Sequence, residues 1–188
     1  MVLSDFKIKN MVENAQPLIT PFIAQKESFG GVSRGLSSAG YDVTLGTEFV
    51  RFLENVRHEP VFPNSSFDPS QFKRITREIG FVPIFKNELL LCHTVEVISI
   101  PVDVVGVVHD KSTFARLGLA VQNTVLEPGW SGQVTLELTN HGPSTIMLPV
   151  HGGIAQVVFH TLTEPSSSPY DGKYNEQRGV VLPRKSEE

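Results

Sequence analysis

Residues 110–140 decide the fold, and they read DKSTFARLGLAVQNTVLEPGWSGQVTLELTN. Their first third can form one or two helical turns; a brief strand, a turn around EPGWSG and a longer strand follow. In the longer strand, predicted for residues 132–139, apolar and polar side chains alternate and therefore point to opposite faces. Glu137 lies on the polar face. Because Glu is disfavoured in strands, this residue either faces solvent or lines a cleft.

Similar strand patterns lie on both sides of this stretch. Residues 81–108 are dense in β-branched side chains, and two prolines interrupt them. Further extended segments are predicted at residues 18–23, 41–45, 49–53, 119–121, 145–148 and 154–159. The 15 Gly and 13 Pro of the chain favour turns between short strands over a helix bundle. The sequence therefore predicts an all-β fold, which is a sandwich, a jelly roll or a small barrel.

Two short helices are predicted outside the strands. Ser4 or Asp5 can cap a helix that ends near Glu13. Ser70 can cap a second helix in QFKRITREI, residues 71–79.

The length of 188 residues suits one domain with a short appendage. We assign residues 1–164 to the domain and residues 165–188 to a C-terminal tail, because the chain after Glu164 holds Ser, Pro, Gly and charge with little to bury. Composition alone favours a frayed tail.

Composition also excludes several classes of protein. The formal net charge of −4 and the pI near 5.9 argue against general binding to nucleic acid or to anionic membranes. Cys92 is the single cysteine, which excludes an intramolecular disulfide framework and a structural zinc cluster built on cysteines. No apolar run is long enough to span a membrane, and the first ten residues lack the apolar run of a signal peptide. We expect a soluble, cytoplasmic protein.

Common catalytic motifs are missing from the sequence. It contains no G-x-x-x-x-G-K-[ST], no G-x-G-x-x-G and no G-x-S-x-G. Neither H-x-E nor C-x-x-C occurs, so the zinc-deaminase signature is absent, and the six histidines are scattered. Any metal is therefore expected to be a Mg²⁺ carried on phosphates.

Two segments besides the Glu137 strand concentrate polar residues. If residues 111–118 are helical, Ser112 and Arg116 share one face, and Lys111 with the first backbone N–H groups faces an anion. The alternative is a capped connector helix with a surface Arg. Residues 170–179 carry two aromatic and two cationic side chains at close spacing. Such a segment can close over a phosphorylated ligand as a lid, which we expect to be ordered only when the ligand is bound.

Three ordered motifs resemble the dCTP deaminase family, which shares a superfamily with the trimeric dUTPases. They are the stretch 110–140, SSAGYDVTLGTEF at residues 37–49 and PYDGKYNEQRGVVLP at residues 169–183. The resemblance runs from about residue 36 to 183 and breaks between about 55 and 80. It implies a distorted β-barrel or jelly-roll subunit of the dUTPase type that forms a homotrimer, with active sites at the subunit interfaces.

The resemblance also implies roles for single residues. Glu137 corresponds to the family's general acid/base, while Ser112 and Arg116 correspond to residues that position the water, the base and that carboxylate. The implied substrate-binding residues are Lys111, Thr113, Thr124, Glu127, Trp130, Tyr170, Lys173 and Gln177.

Within that substrate-binding set, Thr124 lies in the hairpin that holds the cytosine edge, and Glu127 falls near the deoxyribose 3′-hydroxyl. Lys111 opens the phosphate-binding segment, where many relatives have Arg, and the three tail residues grip the triphosphate. The hairpin has the shorter of two family forms, and Val125 stands where that form often has Pro.

The implied reaction is the hydrolysis of dCTP to dUTP and ammonia without zinc, with Mg²⁺ bound through the triphosphate. It would feed the synthesis of dUMP and dTTP, and the resemblance allows dTTP as an inhibitor. One alternative is a dUTPase or a bifunctional enzyme that gives dUMP. Glu127 is then the counterpart of the dUTPase Asp, although Glu137 in TLEL is a feature that dUTPases lack. The other alternative is a non-catalytic nucleotide-binding regulator.

Overall fold

In the computed structural model, residues 1–13, 17–53, 68–122 and 124–184 are described. Within them lie the helices α1 (Asp5–Val12) and α2 (Ser112–Ala115) and a 3-10 turn at Pro69–Gln71. The strands of these residues are β1 (Ile19–Thr20), β2 (Glu27–Phe29), β3 (Val32–Ser37), β4 (Gly40–Phe52), β5 (Phe72–Thr76), β6 (Phe81–Ile84), β7 (Leu89–Ser99), β8 (Val104–Asp110), β9 (Leu119–Val121), β10 (Val125–Leu126), β11 (Ser131–Asn140), β12 (Ile146–Pro149) and β13 (Gly153–Thr161). The prediction of an all-β fold is confirmed.

A long, bent β4 joins the two halves of the main sheet. The strand order is β10-β8-β13-β4-β7-β11-β9, with β1, β2, β3 and β5 attached at the sides, while β6 and β12 form a separate ribbon. The first half of β4 pairs with β13, and its second half pairs with β7 and β5. The pairing register with β7 shifts between Leu45 and Phe49. At Gly46 in this irregular stretch, a Cβ atom would overlap the His93 ring, so the close approach requires glycine.

The apolar core lies between the two halves of this curled sheet. In β11 the predicted alternation is confirmed, since Val134, Leu136 and Leu138 are buried in the core. Helix α1 also forms as predicted: the Ser4 hydroxyl accepts a hydrogen bond from the Lys7 N–H, and Ile8 is fully buried. Among the described residues, no helix has the length and apolar character needed to cross a membrane.

Two local predictions are wrong. The predicted helix in residues 71–79 is β5, because these residues pair with the edge of β4, with Phe72 opposite Phe52. The segments 41–45 and 49–53 belong to one strand, and its first seven residues are buried on both faces. The alternation of apolar and polar residues in these segments is typical of a half-buried strand. The polar side is covered as well, because Asp42 pairs with Lys111 and Thr44 bonds to Glu96. About half of the region where the family resemblance breaks, residues 55–67, lies outside the described residues.

A buried carboxyl group links β4 and β7. Glu96 is 1% exposed and accepts hydrogen bonds from the Thr44 N–H at 2.9 Å and the Thr44 hydroxyl at 2.6 Å. The Tyr41 hydroxyl lies 3.5 Å from the same carboxylate. Burial raises the pKa of Glu96, and the hydrogen bonds from Thr44 offset part of that rise.

Glu96→Gln is expected to make the stability of the fold less dependent on pH. Because the folded-state pKa of Glu96 is raised, the folded protein holds this proton over a pH range in which the unfolded chain has lost it. The contribution of Glu96 to wild-type stability is therefore complete below the ordinary carboxyl range. It is lost as the pH rises through the raised pKa. The uncharged glutamine lacks this loss, so the Tm of Glu96→Gln minus that of wild type should increase from about pH 5 to about pH 8. A constant difference across this range would contradict the assignment, and Glu78→Gln serves as the exposed control.

Candidate active site

A cavity of about 520 Å³ opens between β11, the turn before it and the C-terminal tail. Its apolar wall includes Phe52, Phe72, Leu89 and Leu91. Its polar lining residues include Thr124, Glu127, Thr135, Glu137 and Gln177. Carboxyl, hydroxyl and amide groups against an apolar wall are typical of a site that binds and orients a small polar molecule.

Glu137 lies on the cavity face of β11. It is half-buried and stands opposite Leu91 of β7 in the strand register. Desolvation raises the pKa of Glu137, and a backbone hydrogen bond offsets part of this effect. A carboxyl group with a raised pKa is suited to take up and release a proton near neutral pH. The sequence left open whether Glu137 faces solvent or lines a cleft, and in the structure it lines the cavity.

The turn between β10 and β11 forms one end of the cavity. Gly129 adopts φ +89°, and a Cβ atom there would lie 2.7 Å from Pro169 of the tail. The Trp130 indole is buried and donates a hydrogen bond to the Tyr174 carbonyl at 2.9 Å. Glu127 on this turn is exposed. The turn therefore presents Glu127 to the cavity and fixes the tail at Tyr174 through Trp130.

Thr124 is half-buried at the rim of the cavity, and its carbonyl accepts a hydrogen bond from the Val108 N–H at 3.1 Å. It belongs to the hairpin that the family resemblance assigns to base recognition. Residue 123 of that hairpin lies outside the described residues.

The tail packs along β11. Tyr170 donates its N–H to the Pro128 carbonyl, and Gln177 is 8% exposed. Val180 is 4% exposed, and Leu182 packs in the same apolar cluster. The expectation that the tail has little to bury is wrong for this segment. The surface that covers these residues comes from β11, so the composition of the tail alone could not predict their burial. This removes the physical ground for expecting the tail to be ordered only with a ligand bound.

The predicted tail residues divide into two groups. Tyr170 and Gln177 line the cavity. Lys173 is exposed and does not line it; its ammonium group donates to the Arg184 carbonyl at 2.7 Å and lies over the Tyr174 ring at 5.3 Å.

The residues at α2 lie away from this cavity. Ser112, Thr113 and Arg116 are exposed and are absent from its described lining. Lys111 is 8% exposed, and its ammonium group donates to the Asp42 carboxylate at 2.6 Å and to the Ser33 hydroxyl at 2.9 Å. A single chain therefore holds the predicted site in two separate parts.

Sequence reasoning missed several residues of the cavity. Thr135 lines the cavity on the Glu137 face of β11, where the alternation of this strand places it, but it was given no site role. Phe52 and Phe72, whose rings lie 4.6 Å apart, come together through the β4–β5 pairing that was predicted as a helix. Within the described part of the chain, no group of three or more His, Cys, Asp or Glu side chains could hold a metal ion.

Comparison with known proteins gives a consistent result. Residues 2–162 match a family model described as dCTP deaminase-like. A dCTP deaminase from Herpetosiphon aurantiacus is 39% identical over 186 residues, which cover 97% of this chain and 98% of that protein. A dCTP deaminase from Anaplasma phagocytophilum is 41% identical over 169 residues, with 88% and 89% covered.

One solved structure supports the fold. The 2′-deoxycytidine 5′-triphosphate deaminase from Agrobacterium tumefaciens superposes with a TM-score of 0.62 at 16% identity. The match covers 85% of this chain and 47% of that protein, so this chain spans about half its length.

Proposed function

Because this chain belongs to the dCTP deaminase-like family, we propose that it hydrolyses dCTP to dUTP and ammonia with Glu137 as the general acid and base. The observation that carries the proposal is the position of Glu137, half-buried in a cavity with one apolar wall and several hydrogen-bonding groups. Its raised pKa fits a group that must change its protonation state in each turnover.

The reaction requires a sequence of proton transfers that one carboxylate can perform. Glu137 takes a proton from water as the water oxygen bonds to C4 of cytosine, and it delivers that proton to N3. The carboxylate then takes the proton of the new C4 hydroxyl group and gives it to the amino group. The C4–N4 bond breaks as the C4 carbonyl forms, and ammonia leaves, so that dCTP and water give dUTP and ammonia. The triphosphate lies far from C4, and its binding energy can orient the base against Glu137.

A second subunit completes this site in our proposal. Ser112 and Arg116 are exposed on α2, so they are accessible to a neighbouring copy of the chain. In a homotrimer with head-to-tail contacts, α2 of one subunit meets the cavity of the next. Arg116 then favours the carboxylate form of Glu137 and opposes the effect of desolvation.

The same contact brings phosphate-binding groups to the nucleotide. The ammonium group of Lys111 has three N–H donors, so it can keep Asp42 and Ser33 and still donate to a phosphate. Tyr170 and Gln177 close over the triphosphate from the tail, and Mg²⁺ binds through the phosphates. Glu127 and Thr124 hold the deoxyribose 3′-hydroxyl and the cytosine edge. The product supplies dUMP and dTTP synthesis, and dTTP can compete for the same site.

Zinc removal is expected to leave the activity unchanged. The sequence lacks the His/Cys/Cys ligand set that zinc deaminases use to activate water, and Glu137 supplies the proton transfer instead. The measurement is deamination of dCTP after treatment with a strong zinc chelator in the presence of excess Mg²⁺. Activity that disappears on chelation and returns with added zinc would overturn the mechanism.

Lys173→Ala is expected to lower kcat/KM for dCTP far more than for deoxycytidine. To reach a phosphate, the Lys173 ammonium must leave the Arg184 carbonyl, and a charge-assisted contact to phosphate would offset that loss. Lys7→Ala, an exposed lysine on α1, is the matched control and should change neither value. Equal mutant-to-wild-type ratios for the two substrates would show that Lys173 is a solvated tail residue.

One assay separates this function from the alternatives. The protein is incubated with Mg²⁺ and either dCTP or dUTP, and dUTP, dUMP, pyrophosphate and ammonia are resolved. We expect dUTP and ammonia in equal amounts. The appearance of dUMP and pyrophosphate indicates a bifunctional enzyme, cleavage of dUTP without deamination indicates a dUTPase, and nucleotide binding without turnover indicates a regulator.

A further inference from the structure

Gln133 connects the barrel to the tail through four hydrogen bonds. Its side-chain oxygen accepts from the Gly179 N–H at 2.8 Å, and its side-chain amide donates to the Val95 carbonyl at 3.1 Å. Its backbone N–H donates to the Gln177 carbonyl at 3.0 Å, and its own carbonyl accepts from the Gln177 amide at 2.8 Å. One residue of β11 therefore fixes two residues of the tail and is itself held by β7.

The tail occupies an open edge of β11. Strand β9 pairs with β11 at residues 138–140, and the tail follows the earlier part of the same strand. The Glu176 N–H donates to the Ser131 carbonyl at 2.7 Å, and Gly132 and Gln177 form a parallel bridge. Every partner in these contacts belongs to this chain, so β11 itself supplies the edge on which the tail docks.

This docking directs the tail toward Glu137. Side chains at positions 133, 135 and 137 share one face of β11. The tail meets them in order: Gly179 contacts Gln133, and the Val181 N–H donates to the Thr135 hydroxyl at 3.2 Å. Val181 and Pro183 then line the cavity that contains Glu137.

We propose that Gln133 is a positioning residue, which holds the tail so that residues 181–183 close one side of the cavity and exclude water from Glu137. The proposal rests on the function proposed above, in which Glu137 is the general acid and base. It assigns a role to a residue that contacts neither the reacting atoms nor the phosphates.

A loosened tail has a definite effect on the pH profile. Desolvation is the largest cause of the raised pKa of Glu137, so access of water brings the pKa back toward its ordinary range. The deaminase needs the carboxylate form to accept the proton of water, and the acidic limb of its kcat/KM profile therefore moves to lower pH.

Other charged or titratable groups face the same cavity. Glu127 comes from the turn, and Tyr170 and Tyr174 come from the tail. The Cys92 thiol of β7 lies in the core and does not line the cavity, although the charge of Glu137 contributes to its raised pKa. Arg116 of a neighbouring subunit would face the cavity in the proposed trimer. For this reason the test variants, Gln133→Met and Gly179→Ala, alter none of these ionisable residues.

Gln133→Met tests the proposal, because it keeps the length of the side chain and removes its two hydrogen bonds. Trp130 is the single tryptophan, and its indole bonds to Tyr174 of the tail, so its fluorescence reports docking without substrate or activity. We expect emission at longer wavelength and stronger quenching by acrylamide in the variant. The matched control is Gln156→Met, since Gln156 is a half-buried strand glutamine that donates to Ser37.

Kinetics form the second readout. We expect Gln133→Met to lower kcat/KM for dCTP at neutral pH by about 5- to 30-fold, as the loss of two hydrogen bonds implies, and to move the acidic limb to lower pH. Unchanged Trp130 emission would overturn the proposal. The proposal would also be overturned if Trp130 emission shifts but the acidic limb of the kcat/KM profile stays at its wild-type pH. Gln133 would then hold the tail without affecting Glu137.

Gly179→Ala loosens the same contact from the tail and spares β11. Gly179 adopts φ +63°, and a Cβ atom there would lie 2.8 Å from the Glu48 carboxylate. We expect the same shifts in Trp130 emission and in the acidic limb of the kcat/KM profile. This variant therefore still tests the proposal if Gln133→Met fails to fold. If the wild-type protein does not deaminate dCTP, the proposed function has failed, while Trp130 emission still tests whether Gln133 holds the tail. Wild-type emission in both Gln133→Met and Gly179→Ala would overturn the inference by itself.

Discussion

Glu137→Gln is expected to lower kcat for dCTP deamination by about 10²–10⁴-fold, the usual contribution of general acid–base catalysis. This corresponds to about 3–5 kcal/mol of transition-state stabilisation. The amide has nearly the same size as the carboxylate but cannot take a proton from water or deliver one to N3. The neighbouring apolar residues of β11 stay in the core, so the fold and nucleotide binding should be retained.

The measurement combines single-turnover rates with calorimetric binding of dCTP. Glu127→Gln is the matched control, because Glu127 is a carboxylate in the same cavity to which we assign a contact with the sugar. It should raise KM for dCTP more than it lowers kcat. A Glu137→Gln variant that keeps more than a tenth of the wild-type rate would show that another residue transfers the proton.

The pH profile gives a second check on Glu137. Because desolvation raises its pKa, wild-type kcat/KM should fall on the acidic side at a higher pH than an ordinary carboxyl group would give. Glu96 also has a raised pKa, but it is buried between β4 and β7 and does not line the cavity. Its titration affects stability, and Glu96→Gln should leave the acidic limb of catalysis in place.

The sequence pattern predicted β11 correctly, because the burial of this strand follows the alternation of its own residues. The alternation in residues 132–139 identified both the core face of β11 and the face that carries Glu137, because a half-buried strand has a period of two. The same rule failed for β4. Its polar positions are covered by segments distant in sequence, and Asp42 is buried because Lys111, far along the chain, compensates its charge.

The tail is a second case in which the local sequence failed to predict burial. Its composition predicted fraying, whereas Gln177 and Val180 are buried because the edge of β11 is open to receive them. The role of Gln133 could not be derived from its own neighbours in the sequence, since all four of its hydrogen bonds described above reach residues more than 30 positions away. Residues whose function depends on such distant partners require the structure.

The division of the site between α2 and the cavity leads to a prediction about mixed oligomers. In our proposal Glu137 of one subunit works with Arg116 of the next, and each interface of the trimer holds one site. Arg116→Ala and Glu137→Gln should each inactivate the homotrimer, because every site then lacks one of the two side chains. The two variants remain complementary, since each one carries the residue that the other lacks.

Mixed trimers of Arg116→Ala and Glu137→Gln subunits should therefore regain activity. Around a ring of three with both kinds of subunit, there is one interface at which an intact Glu137 meets an intact Arg116, so about one third of the wild-type kcat is expected. The variants are co-expressed with different affinity tags, trimers that carry both tags are isolated, and their mass is checked by light scattering. Double-tagged trimers of Glu137→Gln subunits alone are the matched control and should stay inactive. A site built within one chain cannot be restored by mixing, so mixed trimers as inactive as their parents would refute the shared site, and a fully active wild-type monomer would refute the trimer.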